Sequence, residues 1–133
     1  MIFVDTSAFL AVLDKNDINH ALALRCWKNL LQEVLPPLST NNYVIVESIA
    51  IIQKRLGLQA VRDLQTEVLP FVQIEWIDEN QHTLVIETVL ATNRRKLSLV
   101  DCSAFQTMNN LGIDTVFTFD DHFREQGFNV IPD

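Results

Sequence analysis

Three short apolar runs, Met1–Val4, Phe71–Ile77 and Thr115–Phe119, are separated by stretches with helical spacing. This alternation constrains the architecture more than any other property of the chain. Met1–Val4 is apolar with branched residues, the pattern of a buried strand. Asp5-Thr6-Ser7 then supplies three N-cap-type residues before Ala8–Leu13, so a helix starts there. Asp17 and Asn19 precede a second helical pattern over Ala21–Leu35, which Pro36-Pro37 stops. Leu38-Ser39 reads as a very short strand, and Thr40-Asn41-Asn42 can cap a helix from Tyr43 to Leu56. Gly57 breaks that helix, and another pattern runs from Gln59 to Val68. Phe71–Ile77 alternates as a strand does, and Glu79–Arg95 is helical. Ser98–Leu111 places Val100, Ala104, Met108 and Leu111 on one helical stripe, closed by Gly112. Thr115–Phe119 is a strand and Asn129–Ile131 a last short one.

The resulting order, β-α-α-β-α-α-β-α-α-β-(α)-β, predicts a three-layer α/β/α fold with a central, mainly parallel sheet. Right-handed crossovers make that layering compact. With 133 residues and no linker, repeat or low-complexity segment, the expectation is one domain spanning residues 1–133. In such folds ligands gather beyond the carboxyl ends of the strands.

Acidic residues stand at that edge. Asp5 directly follows the first strand and Asp120 the strand Thr115–Phe119. Asp101 lies in the first turn of the Val100 helix, and Glu47 interrupts an otherwise apolar helix between Val46 and Ile49. Four carboxylates on separate elements suit a hard divalent cation such as Mg²⁺, which takes oxygen ligands and keeps waters and substrate phosphate. The proposed set holds no soft ligand, which disfavours zinc and copper. Each acid also has a plainer reading. Asp5 or Thr6 can cap the first helix, Asp101 can close a capping box with Ser98, and Asp120 can be a turn residue. Glu47 is harder to explain away, because a glutamate on an apolar helix needs either solvent or a partner.

Val4-Asp5-Thr6-Ser7-Ala8, Asn42–Glu47, Leu97–Phe105 and Phe117–Phe123 occur in this order and spacing. Together they resemble the PIN-domain family, especially its VapC-type toxin ribonucleases of bacterial and archaeal toxin–antitoxin pairs, over essentially the whole chain. The resemblance implies a PIN-like fold and an endoribonuclease requiring Mg²⁺ or Mn²⁺, with metal-binding or catalytic roles for Asp5, Glu47, Asp101 and Asp120. It casts Thr6, Ser7 and Thr118 as hydroxyls that orient carboxylates or waters. It favours Asp120 over the adjacent Asp121, which reads as a surface charge. It further implies a homodimer, a cognate antitoxin, an RNA substrate, and products with a 5′-phosphate and a 3′-hydroxyl.

The net charge of −7 argues against a protein that coats nucleic acid, though not against a nuclease with a concentrated acidic site and a local basic patch. Arg94-Arg95-Lys96 is the possible RNA-binding patch; alternatively it is a basic helix end, as Lys54 and Arg55 are. His20 and His82 read as surface residues at helix starts, whereas His122 adjoins Asp120. Trp27 and Trp76 are expected in core or dimer packing, and Cys102 lacks the histidine partner of a nucleophile. Two cysteines without a CxxC pair, no signal-peptide pattern and no membrane-length apolar run are compatible with a reducing cytoplasm and no membrane association.

Two other functions compete. A phosphatase of the haloacid dehalogenase type needs a second aspartate two positions after the first, and Ser7 stands there. A PIN-like module that binds RNA or protein without cutting would be compatible with the same fold.

Overall fold

The computed structural model describes residues 1–33 and 37–133. Five strands, β1 (Ile2–Val4), β2 (Leu38–Asn41), β3 (Val72–Glu75), β4 (Thr115–Phe117) and β5 (Asn129–Ile131), form one sheet in the order β3-β2-β1-β4-β5. All four pairings are parallel, so the sheet is parallel throughout rather than mainly. The helices are α1 (Thr6–Leu13), α2 (His20–Gln32), α3 (Asn42–Leu56), α4 (Leu58–Asp63), α5 (Glu79–Thr92), α6 (Leu99–Leu111) and α7 (His122–Glu125). Phe3 and Val4 point to opposite faces of the central strand and are 0% and 1% exposed, so helices cover both faces. The α/β architecture therefore follows the sequence pattern, and among the described residues no helix is long and apolar enough to cross a membrane. The predicted end of the second helix at Leu35 and its stop at Pro36 lie outside the described residues.

The departures are local. The strand expected over Thr115–Phe119 stops at Phe117, because the Phe119 amide donates to Ser7 Oγ (2.9 Å) instead of to a neighbouring strand. The helix expected to reach Arg95 stops at Thr92, where Asn93 adopts a left-handed conformation at φ 51°. The helix expected over Gln59–Val68 changes winding: Leu64–Val68 is a π-helical turn, followed by a 3₁₀ turn holding Pro70. The strand expected over Phe71–Ile77 begins only after that 3₁₀ turn. Trp27 is core, edge-on to Phe71, whereas Trp76 is 72% exposed and so is not core.

Asn41 couples the sheet to the helices that bear the acids. Its side chain is fully buried, accepts from the Val44 amide (2.9 Å) as the α3 cap, and donates to Ser103 Oγ (3.3 Å) and Thr107 Oγ1 (3.1 Å) on α6. Asn41→Ala removes the cap and leaves buried partners unsatisfied, a loss of about 2–3 kcal/mol. The midpoint of urea unfolding checks this, and an unchanged midpoint would mean that water replaces the amide.

Candidate metal centre

Asp5 occupies the N-cap position of α1 yet makes no capping bond with its side chain. Its carboxylate is turned to other work. Thr118 Oγ1 and Ser7 Oγ donate to Asp5 Oδ2 at 2.9 and 3.1 Å. The same two hydroxyls accept from the amides of Asp120 (3.0 Å) and Phe119 (2.9 Å). This relay uses each hydroxyl as acceptor and donor, and ties the end of β1 to the end of β4. Of the three hydroxyl residues singled out in the sequence, Ser7 and Thr118 thus orient Asp5. Thr6 Oγ1 is buried without a hydrogen-bond partner among the described residues.

Asp5 is 5% exposed, and that burial pushes its carboxyl up to about 6. The Thr118 hydroxyl, the Thr6 backbone and Ser7 oppose the shift, while the nearby charge of Asp101 adds to it.

Asp101 closes the capping box of α6: Ser98 Oγ accepts from the Asp101 amide (3.0 Å), and Asp101 Oδ2 accepts from the Ser98 amide (3.2 Å). Capping and clustering coexist, because His122 Nδ1 lies 3.3 Å from that same Oδ2. The same nitrogen lies 3.3 Å from Asp120 Oδ1, which also accepts from the His122 amide (2.9 Å). Asp101, Asp120 and His122 therefore each offer one ligand atom within 4.8 Å of the others. Among the described residues no Lys or Arg pairs with Asp5, Asp101 or Asp120. Asp101 and Asp120 converge with no Lys or Arg between them, and Asp5 nearby is buried and disfavoured as an anion, a set that fits a bound metal ion better than a structural ion pair.

Glu47 stands outside that three-residue group. It is half-buried on α3 and lines a groove with Val100, the residue before Asp101. Asp121 is exposed and outside the group. Arg94, Arg95 and Lys96 follow α5 rather than ending it, and all three are exposed. Arg94 pairs with Glu125 of α7 at 3.3 Å, so part of the expected basic patch is neutralised. His20 and His82 make structural contacts: His20 Nδ1 meets the Ala11 carbonyl at 2.8 Å, and His82 Nδ1 meets the Tyr43 hydroxyl. His122 is the group that sequence reasoning passed over as a site residue; only its adjacency to Asp120 pointed there.

A profile of the PIN domain matches residues 2–129. The 23S rRNA-specific endonuclease VapC20 of Mycobacterium tuberculosis, from two strains, is 30% identical over 129 residues, 96% of this chain and 95% of its own. The crystal structure of Mycobacterium tuberculosis VapC20, a sarcin-ricin loop cleaving toxin, superposes with a TM-score of 0.84 at 28% identity, covering 96% of each chain. FitAcB from Neisseria gonorrhoeae shares the fold at a TM-score of 0.68 and 16% identity, over 98% of this chain and 96% of its own.

Proposed function

The chain belongs to the PIN domain family, and we propose that it is a divalent-metal-dependent endoribonuclease, the toxin of a toxin–antitoxin pair. The observation that carries this reading is the convergence of Asp101, Asp120 and His122 beside the buried Asp5 at the carboxyl edge of the sheet. Asp5, Asp101 and Asp120 would hold Mg²⁺ or Mn²⁺, with Glu47 contributing negative charge from α3. When bound, such an ion polarises a phosphoryl oxygen and lowers the pKa of a coordinated water. His122 is assigned a supporting part: Nδ1 lies between two carboxylates and holds them in position, imidazole being the softer ligand. Ser7 and Thr118 fix the rotamer of Asp5. Arg95 and Lys96 are free to meet the RNA backbone, and Arg94 can do so by exchanging Glu125 for phosphate.

The similarity to a 23S rRNA-specific endonuclease supports ribosomal RNA as the substrate. An antitoxin and a second copy of the chain are the proposed partners. Exposed Leu84 and Leu90 on α5 support an apolar contact surface for one of them.

The test is to incubate purified protein with ribosomal RNA and with a mixed RNA pool, in Mn²⁺, in EDTA, and with Asp101→Asn replacing the wild type. Cutting in Mn²⁺ that disappears in both controls and leaves 5′-phosphates is the expected result. A 2′,3′-cyclic phosphate would indicate attack by the RNA's own hydroxyl and refute the metal-assisted route. Intact RNA throughout would leave a binding module.

A further inference from the structure

Beside the acidic cluster lies a groove of about 410 Å³ between α3, α5 and α6. Tyr43, Val46, Glu47, His82, Leu99 and Val100 line it, and its surface is predominantly apolar. We propose that this groove is a subsite for one unstacked nucleobase of the RNA, next to the phosphate to be cut. The proposal rests on the endoribonuclease reading above.

Position comes first. Val100, which lines the groove, immediately precedes Asp101 in the first turn of α6, and Glu47 is one of the four acids singled out in the sequence, so the groove adjoins the helix turn that carries Asp101. A nucleotide whose phosphate sits at the acids must place its base, or its neighbour's base, within a few ångströms. Chemistry comes second. The groove carries no Lys or Arg among its lining residues, and Glu47 repels a phosphate there. An apolar wall with an aromatic member suits a flat, uncharged base instead. Tyr43 and His82 meet edge to face, with centroids 5.7 Å apart at 65°. The Tyr43 hydroxyl bonds His82 Nδ1, which engages the polar tip of the phenol and leaves its ring for stacking. Size comes third: pockets of about 300–1,000 Å³ bury ligands of nucleoside scale, whereas a partner helix needs a longer trough. Val46 is 68% exposed at the rim, an apolar side chain without cover in this highly acidic chain.

Tyr43 is thus a binding residue for a base, and its effect must depend on that base being present. The experiment uses short RNA strands spanning the principal cut site mapped in ribosomal RNA, intact or with an abasic nucleotide at each position flanking the cut. For the wild type, one abasic position is expected to lower kcat/KM about tenfold, the scale of one base–aromatic stack. With Tyr43→Ala the intact strand falls by a similar factor, and the abasic penalty at that position disappears. Tyr43→Phe keeps the ring and behaves as wild type, which separates stacking from any folding defect. An abasic penalty that survives unchanged in Tyr43→Ala overturns the subsite and assigns the groove to a protein partner. A wild-type protein that cuts nothing fails the endoribonuclease reading, and the subsite fails with it; cutting that ignores the flanking bases overturns the subsite alone.

Discussion

Asp5→Asn is expected to abolish RNA cleavage while making the metal-free protein more stable. Both effects have one origin. The fold holds Asp5 where its anion is costly: burial raises its carboxyl to about 6, and Asp101 adds repulsion. In the unfolded chain the same group titrates near 4. The folded state therefore binds the proton more tightly, and folding stability falls as pH rises from about 4 to about 6. Above that window the penalty is fully present, on the order of 2–3 kcal/mol. Asn keeps an oxygen to accept from Thr118 and Ser7 and carries no charge, so the penalty vanishes. In EDTA at pH 7.5 the variant should melt higher than wild type, and the difference should shrink to nothing as the pH approaches about 4. Taking the difference between the two proteins cancels the titration of every other carboxylate. Mn²⁺ should reverse the ranking, because it stabilises the wild-type site and has lost a ligand in the variant. Cleavage should drop at least about a hundredfold, the upper end of what losing a mere supporting partner costs a metal site. Calorimetric scans across pH, with and without Mn²⁺, together with a cleavage assay, read all of this. Equal melting temperatures at high and low pH would show that Asp5 is solvated after all.

The second large effect is expected at a residue with no polar atom. Phe123 is the only buried residue of α7, fully enclosed, with its ring edge-on to Phe105 at 5.1 Å and tilted against Phe128 at 6.4 Å. The polar tethers of that helix are the His122–Asp101 contact and the Arg94–Glu125 pair, the latter half-exposed on both sides and worth little. Phe123→Ala should cost about 3–5 kcal/mol, a large share of a domain's total stability. Before it unfolds the protein, the vacated volume should loosen the turn that presents Asp120 and His122. Affinity for Mn²⁺ should then fall by about 10–100-fold, as when a supporting partner of a metal ligand is lost. Urea unfolding and a calorimetric Mn²⁺ titration measure the two losses separately. A destabilised variant that binds Mn²⁺ as tightly as wild type would show that the acids do not depend on how α7 is seated.

These two residues also mark where sequence reasoning succeeds and stops. Asp5 and Asp120 were legible because parallel strands deliver whatever follows them to one edge, and both follow apolar runs. Asp101 was legible through its capping position, although the competing explanation proved compatible with the cluster rather than an alternative to it. His122 was not legible as part of the centre. Its placement depends on a four-residue helix anchored by one aromatic side chain, Phe123, and neither leaves a periodic signal. The end of β4 was misjudged for a related reason: Phe119 has strand character, but a serine hydroxyl from α1 takes its amide. Long-range side-chain bonds of that kind are invisible to local propensity. Glu47 stood out in the sequence as an oddity on an apolar helix; the structure leaves it outside the three-residue group and adds the groove beside it.

The sheet order has a bearing on how a living cell can make such a chain. β1 is the middle strand, but its neighbour β4 comes from the far end of the sequence, and Thr118 reaches Asp5 across 113 positions. During translation, at roughly 5–20 residues per second, the first aspartate is built several seconds before its hydroxyl partner. Until β4 has left the ribosome, Asp5 has neither Thr118 nor Asp120 beside it, and the central strand has one edge unpaired. A nascent chain that stops before β4 therefore carries Asp5 without the hydroxyl that orients it. The candidate metal centre thus assembles only once β4 and the turn that follows it have joined β1.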